Sequence, residues 1–128
     1  MSIETGVVVG FNGEPIFWHL PEGRNAGYLP DSRALWEVLW KYRHTVYGFA
    51  HSHPGSGITG PSHEDVTTFA AVELGLGRRL VWWITSSDRL ITLLWGGPGK
   101  HDYSCLFGPL DDPPWLEELR RLSYTNGV

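Results

Sequence analysis

Helix-type and strand-type hydrophobic patterns alternate along the chain, which predicts a mixed α/β (α+β) domain with a central mixed β-sheet flanked by helices. Three observations carry the prediction. Near the N-terminus, Asn12-Gly13 separates two runs rich in β-branched and aromatic residues, the signature of a tight hairpin. Two stretches with apolar residues at helical spacing, 31–44 and 62–76, interleave with short apolar runs at 45–50, 80–85 and 89–95. The chain has 128 residues and is 41% hydrophobic, enough for one core in one domain spanning 1–128.

Residues 3–11 form the first strand and residues 14–20 the second, with Ile16 and Trp18 on one face and Phe17 and His19 on the other. Residues 21–30, rich in Gly, Pro and Asn, make a loop longer than the common ~4–6 residues. It reads as a surface connection, with substrate selection as its alternative role. Asp31 or Ser32 then caps a helix in which Leu35, Val38, Leu39 and Tyr42 share a face that Trp36 and Trp40 widen. The helix ends near His44, whose ring is expected against the last carbonyls.

The apolar run 45–50 is a buried strand that delivers His51 and His53 at its C-terminal end. Residues 54–61 turn, and residues 62–76 form a helix with Val66, Phe69, Ala70 and Leu74 inward, His63 toward solvent and Gly75 and Gly77 as stops. A hairpin buried on both faces follows, 80–85 and 89–95 joined by Ser86-Ser87-Asp88. Residues 96–99 are loop and 103–107 a further strand, with structural roles for His101 and Cys105. Pro113-Pro114 opens a last helix over 115–124, and residues 125–128 are expected to fray.

Composition narrows the function. A net charge of −4 and only two lysines, Lys41 and Lys100, leave no basic face for nucleic acid. Cys105 is the single cysteine, so there is no intrachain disulfide and no thiolate metal site. No apolar run approaches the ~18 residues of a membrane span, and the first residues lack a signal-peptide pattern. These features lead to the expectation of a cytoplasmic protein. Of the seven tryptophans most are expected in the core; any that are exposed would favour a partner surface.

The chemistry concentrates in His51-Ser52-His53-Pro54, seven further residues, and then Ser62-His63-Glu64-Asp65. Imidazoles two residues apart on a strand point to one side, and a carboxylate in the first turn of the next helix can complete a three-ligand set with a fourth position open, the pattern of catalytic zinc. A His-x-His pair alone is more often plain surface, and Ser62-x-x-Asp65 is also a helix start, with a capping serine and an acid near the positive end of the dipole. Both readings of Ser62 and Asp65 are compatible.

The full string resembles the signature of the JAB1/MPN/Mov34 (JAMM) metalloenzymes: an upstream Glu, then His-Ser/Thr-His-Pro, seven residues, Ser, two residues and Asp. Every fixed position from His51 to Asp65 matches in identity and spacing. The resemblance implies the MPN/JAMM (cytidine-deaminase-like) fold in a compact prokaryotic or phage-type form. It also implies one Zn2+ per chain on His51, His53 and Asp65, with Glu4 as general base and Ser62 as oxyanion donor. The implied reaction is hydrolysis of an amide beside the C-terminus of a ubiquitin-like protein or peptide.

One segment departs from that pattern. Gly6 and Gly10 stand two and six residues after Glu4, one residue closer than the family spacing. A one-residue slip reverses the face to which a strand side chain points. Either a bulge near Gly6 restores the direction, or Glu4, close to the chain start where fraying is the default, is not the base. Glu14 is then the alternative, or no base is present. Two other functional classes follow: an MPN-type binding or assembly module with little or no turnover, and a phage-type hydrolase of cell-wall peptides. The final helix is expected to pack where the family's N-terminal helix would lie.

Overall fold

The hairpin turn at Asn12-Gly13 forms as its residue types require: Gly13 takes φ 82°, a left-handed conformation that costs glycine nothing. From it the computed structural model, which describes residues 2–108 and 111–124, builds nine elements. In chain order these are β1 (Gly6–Gly10), β2 (Pro15–His19), α1 (Arg33–Lys41), β3 (Val46–Ser52), α2 (His63–Leu76), β4 (Val81–Thr85), β5 (Leu90–Trp95), β6 (Tyr103–Phe107) and α3 (Leu116–Ser123). The sheet has six strands in the order β2-β1-β3-β4-β5-β6. Only β3 and β4 pair in parallel, with α2 as the crossover between them; the other neighbours are antiparallel. The fold is therefore mixed α/β, a six-stranded mixed sheet flanked by three helices.

Two apolar clusters cover the two faces of the sheet. On one face Val8, Val46, Trp82, Ile84, Ile91 and Leu93 pack with Leu39 of α1 and Phe69 and Val72 of α2. On the other, Val7, Val9, Ala50 and Trp83 pack with Trp115, Leu116 and Leu119 at α3. Gly48 lets β3 and β4 approach: a Cβ there would lie 2.0 Å from the Val81 carbonyl oxygen, so no other residue fits. Among the described residues no helix is long and apolar enough to cross a membrane.

Several expectations are corrected in detail. The first strand starts at Gly6, not at residue 3, because residues 2–5 bond elsewhere: Ile3 N–H donates to Ser123 O, and Glu4 N–H to Asn25 O. Ile16 faces with Phe17 rather than with Trp18. Val8 pairs with Phe17 and Val9 with Pro15, so Ile16 is the extra residue of a bulge and alternation breaks there. On α2, Leu74 is 77% exposed and Glu73 is buried instead. Trp36 and Trp40 are exposed, while Trp82, Trp83 and Trp115 are core. Arg43, not His44, reaches back to the α1 C-terminus, donating to Trp40 O. The expected fraying of residues 125–128 lies outside the described residues.

Candidate metal centre and active site

β3 ends beside β4, and that pairing fixes the two histidines. His51 stands opposite Ile84, Ser52 opposite Thr85, and the His53 N–H donates to Thr85 O at 2.8 Å. Tyr124, just past α3, donates its hydroxyl to His53 O at 2.6 Å and to Thr85 O at 3.1 Å. Both sides of the His53 peptide are thereby anchored. The His51 ring stacks on Phe49 and meets the edge of Phe69.

Asp65 arrives from the first turn of α2, which begins with a capping box. Ser62 Oγ accepts from Asp65 N–H at 3.0 Å, and Ser62 N–H donates to Asp65 Oδ2 at 2.9 Å. This orients the carboxylate toward the histidines. His51 Nε2 lies 3.2 Å from Asp65 Oδ1, His53 Nε2 lies 3.1 Å from Oδ2, and the two Nε2 atoms are 3.1 Å apart. Burial raises the Asp65 carboxyl, but hydrogen bonds from His51 and His53 outweigh it and hold the group well below the usual carboxylate range. For His53, burial lowers the imidazole, and the Asp65 carboxylate more than reverses that.

These residues fit a divalent cation on donor chemistry and on spacing. The group is the one cluster of three or more potential ligands that converges among the described residues. The edge of a zinc tetrahedron built from bonds of about 2.0–2.1 Å is about 3.3 Å, close to the three separations here. If both Nε2 atoms instead donate to Asp65, two N–H groups sit 3.1 Å apart with no acceptor between them. A cation shared by the two Nε2 atoms and the Asp65 carboxylate removes that conflict.

Glu4 and Ser62 open onto the same cavity as His51, His53 and Asp65. The expected choice between a bulge near Gly6 and a misdirected Glu4 is corrected: no bulge forms at Gly6, the ladder irregularities falling at Val8–Val9 and Val9–Gly10, yet Glu4 lines the cavity with the histidines. Gly6 pairs with His51 and Val8 with Phe49, and Glu4, two residues before Gly6, keeps to that face. Burial raises the Glu4 carboxyl above its ordinary value, against the opposing pull of His51 and His53. Glu14 is exposed at the hairpin, at the opposite end of β1 from His51, and is absent from the cavity. Ser62 Oγ accepts from Asp65 N–H with one of its two lone pairs, and its hydroxyl proton remains to donate.

The sequence reading missed the residues that hold Glu4 in place. Thr5 N–H donates to Ser52 Oγ at 2.9 Å and Ser52 N–H to Thr5 O at 3.0 Å. Arg24 Nη1 donates to Glu4 O at 3.2 Å and Thr5 Oγ1 at 2.6 Å. The loop over residues 21–30 is therefore more than a connection: Arg24 and Asn25 brace the Glu4 backbone, and Tyr28 to Pro30 wall the cavity. No local signal marked this loop, because its partners are distant in sequence. No protein-family model matches the chain, and no curated protein matches its sequence.

Proposed function

We propose that this protein is a zinc-dependent amide hydrolase of the JAMM type, acting on an amide beside the C-terminus of a ubiquitin-like protein or peptide. The observation that supports it is the convergence of His51 Nε2, His53 Nε2 and the Asp65 carboxylate within 3.1–3.2 Å of one another, on the wall of a cavity that also holds Glu4 and Ser62. His51, His53 and Asp65 would hold the zinc, which would supply Lewis acidity toward a carbonyl and make water more acidic near neutral pH.

The chain's own groups do the rest. Glu4, whose carboxyl is raised by burial, accepts the proton of the attacking water and returns it to the leaving amine, serving as base and then as acid. The Ser62 hydroxyl donates to the oxyanion that develops on the scissile carbonyl, worth on the order of 3 kcal/mol for a single such donor. His51 and Asp65, little exposed to water, keep the ligand set rigid.

The test pairs metal content with turnover. Purified protein is expected to hold close to one zinc per chain, and the His51→Ala, His53→Ala double variant to lose it. Glu4→Gln is expected to keep the zinc and to stop cleavage of a ubiquitin-like fusion. A double variant with unchanged zinc overturns the ligand set; full cleavage by Glu4→Gln overturns the role of Glu4.

A further inference from the structure

The cavity beside the metal ligands is larger and more apolar than water activation requires. Its volume is about 570 Å³, within the ~300–1,000 Å³ typical of small-molecule sites. Past the ligands it runs between α1 and α2, walled by Leu35 and Leu39 from one helix, Phe69 and Val72 from the other, and Trp82 from β4. The loop at residues 27–31 covers one side and is pinned there by His19 Nε2, 2.7 Å from Pro30 O. The ionisable side chains on the wall are Glu4, Asp31, Glu64, Asp65, Tyr28 and three histidines; no Lys or Arg among the described residues lines it.

We infer that this cavity is a specificity pocket for a large, uncharged apolar side chain, aromatic in the best case, on the residue adjoining the amide that reacts. The inference rests on the amide-hydrolase reading and narrows its substrate class. An extended backbone without a bulky side chain leaves the partly exposed wall of Leu35, Trp36 and Phe49 in contact with water. A benzyl group covers that wall and releases the water, each buried methylene-sized unit contributing about 0.8 kcal/mol. In the metal-free protein a carboxylate on the same residue meets Glu4, Asp31, Glu64 and Asp65 with no Lys or Arg on the wall to receive it, so there a free C-terminal acid is disfavoured against an amide. The pocket and the ligand set share one cavity, so a side chain seated in it holds its own amide near His51 and Asp65.

The test reads binding apart from turnover. Metal-free protein is titrated by calorimetry with N-acetylphenylalaninamide, N-acetylglycinamide and N-acetylphenylalanine at neutral pH. The expected order places the phenylalanine amide about tenfold or more tighter than the glycine amide, with the ionised acid weaker than its amide. Thr68 lies exposed on α2 at the cavity wall, so Thr68→Trp fills the space from the outside and abolishes the preference. Leu35→Gln, at a half-buried wall position, weakens it independently. Equal binding of the phenylalanine and glycine amides, or an undiminished preference in both folded variants, overturns the pocket. Zinc-loaded protein that binds the phenylalanine amide yet hydrolyses no amide overturns the hydrolase reading and leaves the pocket standing. Hydrolysis of phenylalanine and glycine substrates with equal kcat/KM does the reverse.

Discussion

Ser52 and Thr5 are joined by a reciprocal pair of hydrogen bonds: the Thr5 N–H reaches Ser52 Oγ at 2.9 Å, and the Ser52 N–H reaches Thr5 O at 3.0 Å. Ser52 sits between the two histidines and Thr5 follows Glu4, so the pair sets the position of the carboxylate against the ligands. Thr5 is fully buried and Ser52 is 1% exposed, so neither bond has water as a substitute. The middle residue of the His-Ser-His triplet thus acts on the opposite side of the strand from its neighbours, as a brace for the segment that carries Glu4.

Ser52→Ala leaves the Thr5 N–H buried without its partner, at a cost of about 1–3 kcal/mol. His51 and His53 stay anchored on β4 through the ladder and through Thr85 O, so zinc content is expected to stay near one per chain. Turnover is expected to fall because Glu4 loses its brace. Urea unfolding, metal analysis and kcat measured on one preparation check this. Wild-type stability together with wild-type kcat rules out the bracing role.

Asp65 belongs both to the helix cap and to the candidate metal-ligand set, and two substitutions separate these roles. Asp65→Asn keeps an oxygen to accept from Ser62 N–H; Asp65→Ala removes it. Both are expected to lose zinc on dialysis. In the metal-free state the alanine variant should be less stable than the asparagine variant by about 1 kcal/mol, the worth of one net hydrogen bond. Equal unfolding midpoints for the two would show that the bond from Ser62 N–H to the residue 65 side chain contributes nothing to α2.

The site was legible because its information is local. His51, His53, Ser62 and Asp65 lie within one strand, one turn and one helix start, and the Ser62–Asp65 box has a sequence signature of its own. The helices, and β3 to β6, lie close to where periodicity and caps predict them. What escaped depends on distant partners. Leu74 is expected inward; Glu73 is buried in its place because Trp82 and Tyr103 supply its donors. The bulge at Ile16 follows from pairing with β1, and the path of residues 2–5 from Asn25, Ser52 and Ser123. None of these contacts has a signature within its own segment.

His19 links acidity to stability. It is buried, and its imidazole is shifted below 6.5, chiefly by burial, with the Pro30 hydrogen bond and Asp31 opposing and Arg24 assisting. The unfolded chain therefore binds a proton more readily than the folded one. The stabilisation is fully present above pH about 6.5 and is lost as pH falls through that value toward the lower folded pKa. His19→Gln, which retains a donor for Pro30 O, should flatten the acid side of the stability curve between about pH 7 and pH 5. Urea midpoints across that range are the measurement, and parallel curves for the two proteins would exclude this contribution.

Glu73 is the acid on which the cavity floor depends. It is 3% exposed and accepts from Leu80 N–H, Trp82 Nε1 and Arg79 Nη1, each at 2.9 Å, and from the Tyr103 hydroxyl. Trp82 in turn stacks on Phe69 with centroids 4.3 Å apart, and both line the cavity. Glu73→Ala strands two buried donors, Leu80 N–H and Trp82 Nε1, and is expected to destabilise the protein by about 2–6 kcal/mol, about 1–3 for each donor left unpaired. Glu73→Gln keeps one acceptor oxygen and should fall between the variant and wild type. The local consequence is as specific as the global one: with Nε1 released, Trp82 loses its fixed orientation against Phe69, so its fluorescence should change before the unfolding transition begins. A Glu73→Ala protein with wild-type midpoint and emission would mean that these bonds contribute nothing beyond what solvent provides, contrary to their burial.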